Sequence, residues 1–155
     1  MWYIRKEVKK SYRANLVSRM RNRWMAMRRW LRCNTAKPNE CGAWNCRGLG
    51  STLVVRILTD EVRTRNPLLV FLAETKASAS QIKGIQTKLN FTQGIVVPSD
   101  GRSGSLALLW KEGTDVTFKS CSNTHIDVVV RESSTSIPWR ATGFYGQPET
   151  EKRYI

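Results

Sequence analysis

Two polar side chains stand where runs of apolar residues stop. Ala43-Trp44-Asn45-Cys46-Arg47-Gly48-Leu49-Gly50 is a short strand-forming run that ends in a carboxamide and then a glycine-rich turn. Leu68-Leu69-Val70-Phe71-Leu72-Ala73-Glu74-Thr75-Lys76 is an apolar run of strand length that stops at a carboxylate. A carboxylate in such a place costs free energy unless it is solvated, paired or bound to a cation. Glu74 is therefore the leading candidate for a functional residue, with an ion pair to Lys76 or an arginine as the structural alternative. Asn45 can offer its amide to a metal-bound water, a phosphate oxygen or a carboxylate; otherwise asparagine at a strand end is a turn former. Glycines such as Gly48 and Gly50 let a backbone approach a phosphate, and Arg47 can pair with one. The run from Cys46 to Gly50 matches neither a P-loop nor a dinucleotide fingerprint, so no nucleotide cofactor is expected. Tyr145, beside Gly146 and Pro148, offers either a hydroxyl or a packing ring. His125 is the only histidine, but it opens a strand of ordinary type and is not assigned to catalysis. Asp115 and Asp127 fit edge or solvent-facing positions.

The elements that position these groups follow from pattern. Between the two runs, Ser51 can cap a helix with Leu53, Val54, Ile57, Leu58 and Val62 as its apolar face, closed by Asn66-Pro67. The unit reads strand, helix, parallel strand. Ligands of open α/β sheets sit beyond the carboxyl ends of the strands, which puts Asn45 and Glu74 side by side. Ser78 or Ser80 opens a second amphipathic helix through Ile82, Ile85 and Leu89. Strand candidates follow at 91–97, 105–111, 115–122, 125–131 and 139–145, with hairpin turns at 99–104 and 112–114. Residues 106–110 are apolar throughout and should be buried on both faces, whereas 115–119 alternate and should have one wet face. The layout is α/β (α+β): two strand–helix units feeding a mostly antiparallel sheet.

The chain has 155 residues, room for one domain, with 41% hydrophobic and 25% charged residues, and a net charge of +14. The excess is uneven: residues 1–40 hold twelve Lys/Arg against two Glu, and residues 41–155 hold fourteen against ten acidic residues. Such charge favours polyanionic partners, nucleic acid before an acidic membrane. Residues 2–32 contain no Pro or Gly, and Ile4, Val8, Tyr12, Leu16, Met20 and Trp24 recur every four residues. That spacing predicts a long basic helix whose seam drifts by ~40° per step. Residues 34–40 form a linker, and the domain proper begins near Cys41, giving a 1–40 leader and a 41–155 domain. Cys33, Cys41, Cys46 and Cys121 form no C-x-x-C pair and are expected to be reduced thiols in an intracellular protein. No stretch reaches the ~18 apolar residues of a membrane span.

W-N-C-R-G-L-G, V-F-L-A-E-T-K, G-R-S-G-S-L-A-L-L-W-K and P-W-R-A-T-G-F-Y-G-Q-P-E-T, in that order over residues 41–155, resemble the endonuclease/exonuclease/phosphatase superfamily. The likeness is closest to the endonuclease domain of plant LINE-type retrotransposons. The resemblance implies a four-layer sandwich, two mixed sheets face to face with helices outside, of which only the amino-terminal part is expected here. It implies Mg2+, with Mn2+ as a substitute, held by Glu74 and Asn45; catalytic roles for Asn45, Glu74 and Tyr145, the tyrosine reaching the scissile phosphate; and nucleic-acid contacts from Arg47, Lys76 and Arg102. The family reaction is nicking of DNA by phosphodiester hydrolysis. Its Asp-x-Asn and Asp-His pairs have no counterpart before Ile155, so a truncated domain, inactive alone, is expected. The second reading is a non-catalytic, basic nucleic-acid-binding remnant. A partial sandwich would expose an apolar sheet face open to another polypeptide. Since the likeness starts only near Cys41, the basic leader is best read as an addition, with phosphate binding or targeting as its alternatives. A nuclear location is expected, with mitochondrial targeting by the Arg-rich amino terminus as the minority case.

Overall fold

An apolar strand buried on both faces needs a layer above it and a layer below. Here the layers are a pair of helices, a mixed sheet and an antiparallel sheet. The computed structural model describes residues 2–7, 31–32, 41–99 and 105–145. In chain order the elements are β1 (Trp2–Glu7), β2 (Leu31–Arg32), β3 (Cys41–Asn45), α1 (Thr52–Arg65), β4 (Leu69–Ala73), α2 (Ala79–Lys88), β5 (Gln93–Val97), β6 (Leu106–Trp110), β7 (Asp115–Cys121), β8 (His125–Arg131) and β9 (Trp139–Tyr145). A five-stranded sheet runs β2-β3-β4-β6-β5, and a four-stranded sheet runs β1-β9-β8-β7. The β3–β4 pair is parallel, bridged by α1, while every other pairing in both sheets is antiparallel. The fold is α+β, and the strands expected in one sheet divide over two.

Local sequence accounts for most boundaries. α1 buries Val54, Leu58 and Val62, a strict four-residue stripe, and ends on Asn66 in the left-handed conformation (φ +47), whose N–H donates to the Val62 carbonyl. Arg63 and Arg65 in its last turn suit the helix dipole, and Arg65 pairs with Glu61 at 2.6 Å. Leu53, assigned to the apolar face by periodicity, is instead 58% exposed, because residue 53 lies about 100° around the helix from 54. α2 opens with a reciprocal capping box: Ser78 Oγ accepts from Gln81 N, and Ser78 N donates to Gln81 Oε1. The β6–β7 turn carries Gly113 at φ +81, as the Glu112-Gly113-Thr114 signal requires.

β4 and β6 are buried at every position. On one face of the mixed sheet, Trp44, Val70, Leu72 and Leu109 pack with Leu58 and Ile82 of the helices. On the other, Leu69, Phe71 and Leu108 pack with Ile126, Val128 and Ala141 of the antiparallel sheet. The antiparallel sheet's other face carries His125, Asp127, Arg131, Arg140 and Thr142 beside Val129 and Phe144, by strand alternation. The expected open apolar face is therefore absent from these strands.

The amino-terminal expectation needs correction. Trp2–Glu7 is not helix but an edge strand, antiparallel to β9 from Trp2↔Tyr145 to Glu7↔Arg140, and Leu31–Arg32 pairs with β3. The segment 1–40 thus contributes backbone to both sheets. Residues 8–30 of the expected helix, the 34–40 linker and most of the 99–104 turn, Arg102 included, lie outside the described residues. Cys41 is disulfide-bonded, not reduced; Cys46 and Cys121 are free.

The two sheets lie in close contact where Phe71 meets Gly143. A Cβ on Gly143 would lie 2.3 Å from the Phe71 ring. Gly143→Ala is expected to destabilise the protein by ~1–3 kcal/mol through overpacking. Urea unfolding checks this, and a loss under ~0.5 kcal/mol would show that the ring moves aside freely.

Candidate functional site

The parallel β3–β4 register sets Asn45 opposite Ala73, so Asn45 and the next residue of the neighbouring strand, Glu74, share one edge of the mixed sheet. Both are half-buried. Beyond the strands the pairing continues as loop: Cys46 N, Gly48 N and Leu49 N donate to the carbonyls of Ala73, Glu74 and Thr75, each at 2.8 Å. Asn45 Oδ1 accepts from Arg47 N at 3.0 Å, turning the chain sharply into the glycine run. Arg47, Glu74 and Lys76 all have positive φ, at +46°, +52° and +46°. Left-handed backbone at three non-glycine residues in one place marks a strained, over-determined edge.

Tyr145 arrives from the other sheet. Its ring is buried between the sheets, its N–H donates to the Thr124 carbonyl at 2.7 Å, and its hydroxyl donates to Glu74 Oε1. Burial first, then the bond to Glu74 and the Glu74 charge, push the phenol's ionisation well above the usual tyrosine value, with Arg47 opposing. Tyr145 is therefore a proton donor at neutral pH. Cys46, fully buried at the end of β3, has its thiol pushed up in turn, mainly by burial and then by the Glu74 charge. The expected alternative for Glu74, an ion pair to Lys76 or an arginine, is not formed among the described residues, where Tyr145 is the partner of its carboxylate. Glu74, Asn45 and Tyr145 are thus gathered at one edge, with exposed Arg47 and Lys76 around them.

The donor set is one carboxylate with neutral oxygens beside it. Among the described residues no group of three or more His, Cys, Asp or Glu is placed to hold a metal. One carboxylate fits a hard cation that keeps most of its waters and completes its shell with substrate phosphate, as Mg2+ does. The Asn45 oxygen retains a second lone pair for such a water.

Two groups escaped the sequence reading. Asp127 is buried at 2% exposure, not solvent-facing: it accepts from Arg140 Nε at 2.9 and 3.1 Å, Arg140 Nη2 at 2.5 Å and Thr142 Oγ1 at 2.9 Å. Alternation assigned it to the outward face, and only the cross-strand partners Arg140 and Thr142 reveal its burial. Thr75 and Ser105 form a buried hydroxyl pair beside Glu74. His125 stays apart from Glu74, its ring between Ser120 Oγ at 3.1 Å and Ser122 Oγ at 2.7 Å and stacked on Phe144. Asp115 is exposed, as expected. No protein-family model matches the sequence, and no curated protein matches it significantly. Among the described residues no helix is long and apolar enough to cross a membrane.

Two outcomes follow from these environments. Cys121 is exposed and Cys46 is buried, so iodoacetamide on the native protein should modify Cys121 and spare Cys46 until denaturant is added. Mass spectrometry of the peptides decides it. The Asp127 carboxyl is held below its usual range chiefly by the Arg140 hydrogen bond. A depressed folded value means stabilisation that is present above the unfolded pKa and lost as pH falls through the folded one. Asp127→Asn should therefore cost ~1–3 kcal/mol at neutral pH. The gap to the wild type should narrow as pH drops below the ordinary value of 3.8, and urea titrations at several pH values measure it.

Proposed function

We propose that this edge is the cation- and phosphate-holding part of a phosphodiesterase centre of the endonuclease/exonuclease/phosphatase type, acting on DNA. The finer fold reading, an amino-terminal part of that four-layer sandwich closest to the LINE-type endonuclease domain, belongs to the same proposal, as does a nuclear location. The observation that carries it is Glu74: a half-buried carboxylate closing a fully buried strand, with a phenol from the opposite sheet as its partner.

When bound, Mg2+ or Mn2+ would supply positive charge to polarise the scissile phosphate. Glu74 would hold the cation, and Asn45, one strand over, would orient a water or a phosphate oxygen. Tyr145, kept protonated by burial and by Glu74, donates its hydroxyl toward negative charge, whether carboxylate or phosphate. Arg47 and Lys76, both exposed, neutralise flanking phosphates, and Arg102 joins them in this reading by its place in the sequence. With Glu74 committed to the cation, the others are an amide, three cations and a protonated phenol, none of which removes a proton from water at neutral pH. Lacking a general base costs ~10²–10⁴ in rate, so these residues alone turn over slowly. A net charge of +14 also supports a second reading, sequence-independent nucleic-acid binding without catalysis.

The test is Mn2+ binding, followed by electron paramagnetic resonance, beside nicking of supercoiled plasmid. Wild type should bind one Mn2+ and Glu74→Gln should weaken it ~10-fold or more. Any nicking should disappear with EDTA and with Glu74→Ala. Mn2+ binding indifferent to Glu74, together with salt-sensitive DNA binding, would sink the phosphodiesterase reading and leave the second.

A further inference from the structure

Glu74 lies at φ +52 and Lys76, two residues on, at φ +46. Such backbone is unfavourable for L-residues and persists where the surroundings over-determine it. On one side the constraint is the loop after β3, whose N–H groups take the carbonyls of residues 73–75. On the other side stands Ser105, immediately before β6. Its carbonyl accepts from Thr75 N at 3.1 Å, and its hydroxyl shares a hydrogen bond with the Thr75 hydroxyl.

Thr75 and Ser105 are 0% and 1% exposed. Buried hydroxyls need partners, and these two serve each other. Two apolar side chains of similar shape would fill the space without that demand. What an apolar pair would lack is direction: a hydrogen bond holds one rotamer and one backbone orientation, while methyl packing tolerates several.

We propose that the Thr75–Ser105 pair is a positioning device for Glu74, locking the residue after it to the start of β6 so that the left-handed turn cannot relax and the carboxylate stays aimed at the Tyr145 hydroxyl across the sandwich. Its value to catalysis rests on the phosphodiesterase reading, but its geometry does not. Removing the pair lets Glu74 return to ordinary backbone, swings the carboxylate away from Tyr145 and loosens any cation held there. Thr75 and Ser105 touch neither substrate nor cation in this scheme and act through Glu74.

The experiment uses the full chain labelled with ¹³Cζ-tyrosine, the Tyr145 resonance being identified among the four tyrosines with Tyr145→Phe. At neutral pH this resonance reports the hydroxyl's hydrogen bond to Glu74, and Glu74→Gln should move it. In Thr75→Val and Ser105→Ala it should also leave its wild-type position, and Thr75→Ser, which keeps the hydroxyl, should restore it. Mn2+ affinity should fall ~10–100-fold in the first two variants and recover in the third. Lower melting temperatures with an unmoved Tyr145 resonance would overturn the proposal, since the pair would then only stabilise the fold. Failure of both Thr75→Val and Ser105→Ala to fold would overturn it for the same reason, and so would a wild-type resonance that Glu74→Gln leaves in place. A Tyr145 resonance moved by Thr75→Val and Ser105→Ala in a protein that binds no Mn2+ even as wild type would uphold the positioning role and remove the phosphodiesterase reading instead.

Discussion

The contact between Phe71 and Gly143 governs the geometry of the rest. Phe71 is the centre of a strand with no exposed position, and its ring occupies the space where a Cβ on Gly143 would stand. The sheets can approach there because glycine has no side chain. Two residues further along β9, on the same face, is Tyr145; three residues beyond Phe71, just past the end of β4, is Glu74. Drawing the sheets together at Phe71 therefore brings a phenol within reach of a carboxylate, and the packing that buries the core also assembles the site. A carboxylate anywhere within β4 would be buried without water. At the strand's end it keeps partial exposure, and Tyr145 satisfies one of its oxygens.

The electrostatics of that edge are simple. Burial and the Glu74 charge oppose ionisation of both Cys46 and Tyr145, so neither adds negative charge at neutral pH. The Glu74 carboxylate, bonded to the Tyr145 hydroxyl, then has the exposed cations Arg47 and Lys76 close in the chain fold. In the proposed phosphodiesterase reading, such an arrangement would hold a cation at one point and phosphates around it. The other buried carboxylate, Asp127, is satisfied in place by Arg140 and Thr142, and its chemistry is structural: removing one member strands the rest.

Most elements from residue 41 onward were legible because local signals agreed. The Val54, Leu58 and Val62 stripe, the Asn66-Pro67 stop, the Ser78 cap and the Glu112-Gly113 turn each have a local cause, and the structure places helices and turns accordingly. The proximity of Asn45 and Glu74 was legible from topology, since a parallel pair aligns carboxyl ends. That Tyr145 reaches Glu74 across the gap between two sheets depends on how those sheets pack, which no local pattern encodes. Nor does strand alternation show that Asp127 is buried, because its carboxylate is covered only once Arg140 and Thr142 stand beside it.

The amino terminus shows what periodicity leaves undecided. Ile4 and Val8 fit a four-residue repeat, yet Trp2, Tyr3 and Ile4 are residues that favour a pleated surface. For so short a stretch the two patterns are degenerate, and the decision falls to whichever partner is available. Here β9 offers an edge that would otherwise leave its N–H and C=O groups unpaired, and six residues in register from Trp2↔Tyr145 to Glu7↔Arg140 satisfy it. Those hydrogen bonds are gained only when residues more than a hundred apart in the chain meet, so a reading confined to neighbours favours helix. The same logic applies to Thr75 and Ser105. Each hydroxyl alone is an unremarkable polar residue beside a strand, and only the antiparallel β4–β6 pairing brings them together. Long-range pairing decides both cases, and in both it acts at the margins of the sheets, where the strand carrying Tyr145 gains its partner and the turn carrying Glu74 gains its anchor.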